Sequence, residues 1–258
     1  MDKPVNVVTS KALEIGYGKT TVAKNINFSV AAGELCAIVG INGIGKSTLL
    51  RTLGHLQPKI SGEIWQDAEQ IEALKPEALA RKISVVLTEP LASKNLSVAE
   101  LIGLGRQPYT NWIGSLTEKD KQHVQASMAA LELTGLKERK CHELSDGQLQ
   151  RALIARAMAQ DTPTILLDEP TSHLDLHHKV QILKLLKELA DNHHKTIVFT
   201  THEIDLAIQL CDKILVLNGK SNPFGKPHEL IAQGAFDAIF PSETIQFDAQ
   251  SGSFRIRK

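Results

Sequence analysis

The sequence predicts an α/β fold, in which a phosphate-binding-loop core carries an N-terminal antiparallel β subdomain and an inserted α-helical subdomain. Three observations predict it. A glycine-rich run, Gly40-Ile41-Asn42-Gly43-Ile44-Gly45-Lys46-Ser47-Thr48, stands between an apolar run and a helix-periodic one. Two later apolar runs end in chemically active groups, Asp168-Glu169 and His202. From Thr88 onward, strand signals give way to helical periodicity for some 60 residues before the strands resume.

In chain order, Val5 to Val30 alternates apolar and polar residues around Gly16 and Gly18, which predicts antiparallel strands joined by a turn. Tyr17 stands in that turn, where it either stacks on an adenine ring or simply edges a strand. Glu34–Val39 is a short buried strand, and Leu49, Leu50, Leu53 and Leu56 then recur at helical spacing until Gly54 and Pro58. Between strand and helix the run fits G-x-x-x-x-G-K-[ST]. Its glycines let backbone N–H groups wrap a β-phosphate, and the helix adds its positive end. Lys46 has the length to reach β- and γ-phosphates, and the Ser47 hydroxyl suits Mg²⁺. Ser61–Trp65 reads as a strand, residues 68–82 as helix, and Ile83–Leu87 as another buried strand.

Residues 97–105 and 117–137 carry Leu101, Ile102 and Leu104, then Val124, Met128, Leu131 and Leu133, at helical spacing. The loop between them holds Tyr109 and Trp112, which either dock a partner or cover the insert's own core. Leu144-Ser145-Asp146-Gly147-Gln148 precedes an amphipathic helix over Arg151–Ala159, which Ser145 is suited to cap. Thr164–Leu167 is an apolar strand ending in two carboxylates. Downstream of a phosphate loop this layout holds Mg²⁺ at the sheet's carboxyl edge, with Asp168 on the metal side through water and Glu169 placed to orient or deprotonate an attacking water. A helix from about Leu176 to Asp191 follows, with Val180, Leu183, Leu185, Leu186 and Leu189 near one face. The strand Thr196–Thr201 then ends in His202, whose N–H can reach a γ-phosphate oxygen. Ile214–Leu217 is a last strand, and Phe236, Phe240 and Phe247 serve the packing of a small C-terminal appendage.

Composition narrows the partners. A formal net charge of +0 over 258 residues gives no electrostatic case for nucleic acid, and 4% aromatics argue against a base-stacking surface. Cys36, Cys141 and Cys211 are odd in number and far apart, so buried reduced thiols are expected rather than a zinc site. Met1-Asp2-Lys3-Pro4 lacks a signal-peptide pattern, and no apolar run approaches the ~20 residues that cross a bilayer. A cytosolic protein is expected, with any membrane link made through a partner.

These motifs, in this order, resemble the nucleotide-binding subunit of ATP-binding cassette (ABC) transporters over nearly the whole chain. Gly40–Thr48 matches Walker A, Leu144–Gln148 the LSGGQ-type signature and Ile165–Glu169 Walker B. Ser172–Asp175 matches the D-loop, His202 the switch histidine and Tyr17 the adenine-stacking A-loop. The resemblance implies a RecA-like P-loop NTPase core over 1–87 and 151–258, and a helical subdomain over 88–150. It implies ATP and Mg²⁺ as ligands, held by Tyr17, Asn42, Gly43, Gly45, Lys46, Ser47 and Thr48, with Ser47, Asp168 and Thr88 on the metal side. Glu169, His202 and Lys46 are the implied catalytic groups. It further implies a head-to-tail homodimer in which Ser145, Gly147 and Gln148 of one copy face ATP held by the other. An integral membrane permease dimer would hold the ATPase at the inner face of the membrane, and a solute-binding protein would complete the transporter.

Three positions depart from the family pattern. Thr88-Glu89 stands where a Q-loop glutamine is usual, and Thr88 offers a hydroxyl of shorter reach. Asp146 replaces a signature glycine and, as a carboxylate near phosphates, is expected to face solvent or a cation. His173 replaces a small D-loop residue. Val98–Leu101 followed by Gly103–Tyr109 is similar to the helical domain of ATPases serving iron–siderophore, haem and vitamin B12 importers. An ABC exporter half and a soluble ABC switch acting on an assembly are the alternatives. The first would require membrane helices and a different insert, the second usually paired cassettes or a long coiled coil.

Overall fold

The computed structural model describes residues 6–237, 239, 245–249 and 251–256. Met1–Val5 and Phe240 lie outside the described residues. The chain runs β1 (Asn6–Tyr17), β2 (Thr20–Ala31), β3 (Leu35–Val39), α1 (Lys46–Leu53), β4 (Ser61–Gln66), β5 (Glu69–Gln70), α2 (Pro76–Ala80) and β6 (Ile83–Val86). The helical stretch holds α3 (Val98–Gly103), α4 (Glu118–Ala130) and α5 (Asp146–Ala159). Then come β7 (Thr164–Leu167), α6 (Leu176–His193), β8 (Thr196–Thr200), α7 (Ile204–Leu210), β9 (Lys213–Val216), β10 (Phe224–Gly225), α8 (Pro227–Ala232), β11 (Ile245–Asp248) and β12 (Ser253–Ile256).

The central sheet has the order β10-β9-β3-β8-β7-β6. β9, β3, β8, β7 and β6 are mutually parallel and only β10 is antiparallel. Its inner strands are apolar at nearly every position because both faces are covered, and alternate side chains serve different cores. Leu35, Ala37 and Val39 of β3 join Ile165, Leu167, Ile197 and Phe199 in the core shared with α3–α7. Cys36 and Ile38 join Leu166 and Val198 in a second core beneath the antiparallel sheet β2-β1-β4-β5 and α1. The three cysteines are free and buried, and burial pushes each thiol's pKa up, so they pack as small apolar groups.

Several elements differ from expectation. Residues 68–82 are not one helix. Asp67 and Ala68 turn with positive φ (49° and 64°), β5 pairs back on β4, and Pro76 opens only a short α2. Helix α1 ends at Leu53, leaving Leu56 57% exposed. α3 gives way to 3₁₀ turns over Leu104–Tyr109, where Pro108 removes a donor. α4 stops at Ala130, and Leu131 and Leu133 are buried beyond it. On α6, Ile182, Leu183, Leu186 and Leu189 form the buried stripe, while Val180 and Leu185 are half-buried. α5 starts at Asp146, one turn before Arg151, and runs unbroken through residue 150. Among the described residues no helix is long and apolar enough to cross a membrane.

A buried ion pair ties the 3₁₀ segment after α3 to α4 and α5. Arg106 Nε donates to Asp120 Oδ1 at 2.9 Å and its Nη1 donates to the Ala159 carbonyl at 2.7 Å. Both side chains are only 4% exposed. The Tyr109 ring centre lies 4.0 Å from the Arg106 guanidinium, so the half-buried ring covers that ion pair, whereas Trp112 is 94% exposed. The Thr117 hydroxyl, the Thr117 N–H and Arg106 together lower the Asp120 pKa to about 2. A depressed carboxylate stabilises the fold fully above its unfolded pKa near 3.8, and that contribution is lost as pH falls toward 2. Arg106→Ala leaves a buried carboxylate uncompensated and should cost about 3–5 kcal/mol, read as a lower urea midpoint. At pH 2, where Asp120 is about half protonated in the wild type, the same substitution should cost clearly less.

Candidate functional site

Strands β3, β8 and β7 are neighbours and all end at one edge of the sheet, so the loops that leave them converge. The loop after β3 reaches α1 through Gly40, Gly43 and Gly45. A Cβ on Gly40 would sit 2.5 Å from the Leu217 carbonyl oxygen, and one on Gly45 would sit 2.6 Å from Val22. Gly43, at φ +77°, has open space in front of it. α1 begins at Lys46 with no side-chain cap and no acid in its first turn. Its N-terminal N–H groups and positive dipole end therefore face the open side of the loop, where an anion fits. Asn42 and Gly43 are exposed at the tip and Thr48 is buried behind it.

Lys46 is 5% exposed, and its ammonium donates to the Gly40 and Ile41 carbonyls at 3.0 and 3.2 Å. Burial pulls its pKa down, while the charges of Glu169 and Asp168 pull it up. Its third partner is His202 Nδ1 at 3.3 Å. Since the ammonium can only donate, Nδ1 accepts and the imidazole proton sits on Nε2, which faces the Glu169 carboxylate. The three groups implied for catalysis thus form one chain, Lys46–His202–Glu169.

Ser47 Oγ donates to Asp168 Oδ1 at 2.9 Å. The same oxygen accepts from Thr200 Oγ1 at 2.7 Å, and that hydroxyl accepts from the Glu169 N–H at 2.8 Å. Thr200 thus seats both acids. It escaped the sequence reading, and its only signal was a hydroxyl at the end of an apolar strand. Glu169 adopts φ +46°, a left-handed conformation unusual outside glycine, which turns its carboxylate from the strand toward His202.

Tyr17 keeps its ring 60% exposed at the rim, with its hydroxyl 3.2 Å from Thr48 Oγ1. Thr88 and Glu89 both line a cavity of about 150 Å³ with Asp168, Glu169, Asp146 and His173, and the Glu89 carboxylate also pairs with Arg51 of α1 at 2.7 Å. Ser145 caps α5, accepting from the Gln148 N–H at 3.3 Å while its own N–H donates to Gln148 Oε1 at 3.1 Å. Asp146 is exposed, as a carboxylate there should be, and Gly147 is buried. No hydrogen bond of Ser145 or Gln148 reaches the phosphate loop of its own chain.

Residues 23–172 match the family described as ABC transporter. The chain belongs to the ABC transporter ATP-binding family. This ABC ATPase is 38% identical to the petrobactin import ATP-binding protein FpuD of Bacillus anthracis, over 91% of this chain and 86% of that one. Among solved structures it resembles the ATPase of a transporter assigned to the metal-chelate type in an inward-facing conformation. That match has a TM-score of 0.80 at 31% identity and covers 91% of this chain and 89% of the other. It also resembles an ATP-binding cassette solved as a dimer in a post-hydrolysis state with ADP and Pi, with a TM-score of 0.72 at 29% identity over 85% and 98% of the two chains.

The fit of the phosphate loop against the last parallel strand has a direct test. Gly40→Ala should cost about 1–3 kcal/mol through its clash with the Leu217 carbonyl, seen as a lower Tm. Gly43→Ala, with no neighbour to strike, should cost no more than about 1–2 kcal/mol from its left-handed backbone alone.

Proposed function

We propose that this ABC ATPase powers uptake of a metal chelate of the iron–siderophore, haem or cobalamin type through a partner permease, fed by a solute-binding protein. It would work at the inner face of the membrane as a head-to-tail homodimer. The observation that supports this most is the convergence of Lys46, Ser47, Asp168, Glu169 and His202 at one sheet edge, in a chain whose relatives include an import ATPase.

In this reading Tyr17 stacks on adenine. The N–H groups of Asn42, Gly43, Gly45, Lys46, Ser47 and Thr48 cradle the phosphates, and Lys46 exchanges its own loop carbonyls for β- and γ-oxygens. Ser47 and Asp168 are the hard oxygen donors suited to Mg²⁺, with Thr88 extending a hydroxyl from the same cavity. Among the described residues there is no cluster of three or more His, Cys, Asp or Glu to hold a metal, which suits Mg²⁺, since it takes few protein ligands beside phosphate and water. Held by Ser47 and Asp168, Mg²⁺ would supply Lewis-acid neutralisation of phosphate charge. Glu169 takes the proton of the attacking water, and His202 Nε2–H faces the γ-phosphate oxygen once its bond to Glu169 is released. Ser145, Gly147 and Gln148 close the site from the partner copy at the amino end of α5. Hydrolysis then reopens the pair, and the helical segment passes the motion to the permease.

Glu169→Gln should lower steady-state ATP hydrolysis by about 10²-fold or more while ATP stays bound. An unchanged rate would remove Glu169 from that role. Lys46→Ala should weaken ATP binding, and unaltered affinity would count against the phosphate-loop assignment. For the importer itself, the tagged protein is drawn from its native membranes in mild detergent and its companions are identified by mass spectrometry. A polytopic permease and a solute-binding protein are expected, and soluble assemblies alone would overturn the importer reading.

A further inference from the structure

The signature turn is buttressed from within its own chain by a residue that none of the motifs contains. Gly147, in the first turn of α5, is buried against the imidazole of His178, which projects from the first turn of α6. A Cβ built on Gly147 would lie 3.1 Å from His178 Cδ2, 3.7 Å from Cγ and 3.9 Å from Nε2, so the ring edge lies over the glycine. The ring is held from two further sides. His178 Nδ1 is 2.9 Å from both carboxylate oxygens of Asp175, which also caps α6 by accepting from the His178 N–H at 2.9 Å. His177 meets the ring edge-on, with centroids 5.7 Å apart, and is itself tied to Gln181 at 3.0 Å. The hydrogen bonds from His178 hold the Asp175 carboxyl below its ordinary pKa, so it stays ionised as the ring's partner through the neutral range.

We propose that His178 is a positioning residue for ATP hydrolysis, one that fixes the signature turn Ser145–Gln148 to the D-loop Ser172–Asp175 so that both approach the partner copy's nucleotide as one unit. α5 packs mainly on α3 and α4 and touches α6 much less, so the contact of Gly147 with His178, whose side chain is 46% exposed, is placed to set where the amino end of α5 points. Asp175 belongs to the D-loop and orients the ring, and the ring in turn bears on Gly147. That chain of contacts also gives a reason for glycine at 147 in addition to any approach of phosphate, because a methyl group there would push against His178. The inference rests on the proposed ATPase dimer.

The test uses the full-length protein, with ATP affinity measured by fluorescent-nucleotide titration and turnover by phosphate release. His178→Ala should leave ATP affinity unchanged and lower kcat by about fivefold to tenfold, the pattern of a lost transition-state alignment. His178→Phe, which keeps a ring over Gly147, should recover part of that loss. In a double-mutant cycle, Gly147→Ala should lower both Tm and kcat by less in the His178→Ala background than in the wild type, because the methyl group then has room. Unchanged kcat in His178→Ala, or equal Gly147→Ala penalties in both backgrounds, would overturn the inference. A wild-type protein that neither binds nor hydrolyses ATP would instead overturn the proposed function.

Discussion

The rest of the structure depends on keeping a buried ammonium charged. Lys46 is removed from water, which disfavours its charge, and it is compensated by the Gly40 and Ile41 carbonyls and by the nearby Asp168 and Glu169 carboxylates. That compensation exists because β3, β8 and β7 are parallel neighbours, so their carboxyl ends deliver the phosphate loop, His202 and the two acids to one place. The parallel sheet in turn requires cover on both faces, supplied by the antiparallel β2-β1-β4-β5 layer with α1 on one side and by α3–α7 on the other.

In the proposed reading the same groups would exchange partners when a nucleotide binds. The side chains of Lys46, Ser47 and His202, which would face a nucleotide, already have internal substitute partners. Lys46 uses loop carbonyls, Ser47 uses Asp168, and His202 uses Glu169. Polar groups satisfied in this way cost little while they wait, and each exchange on binding replaces one bond by another. Glu169 is held in a left-handed backbone conformation, and the bond from its N–H to Thr200 keeps it there.

Much of this was legible in the sequence, because the informative signals were local. The phosphate loop is a turn in which Gly40 and Gly45 are required by close approach to Leu217 and Val22, and the strand before it is a continuous apolar run. The ends of β7 and β8 were readable because polar residues, two acids in one case and a histidine after threonines in the other, stop an apolar run. What was not legible depends on contacts between distant segments. Residues 68–82 have helix-favouring composition, yet pairing with β4 and the turn at Asp67-Ala68 override it. Tyr109 and Trp112 look alike in sequence, and only the position of Arg106 separates a covering ring from an exposed one. Thr200 and His178 carry no motif, and their roles arise from side chains brought in from other strands and helices. The pairing of Glu89 with Arg51, far apart in sequence, likewise carries no local signal.

The most direct measurement is a crystal structure of the protein grown with Mg²⁺ and a non-hydrolysable ATP analogue. The account predicts the triphosphate on the Gly40–Thr48 loop, Lys46 moved from the Gly40 and Ile41 carbonyls to phosphate oxygens, and Ser145 of a second copy facing the same γ-phosphate. Nucleotide bound away from that loop, or Lys46 still holding its internal partners beside bound nucleotide, would contradict it.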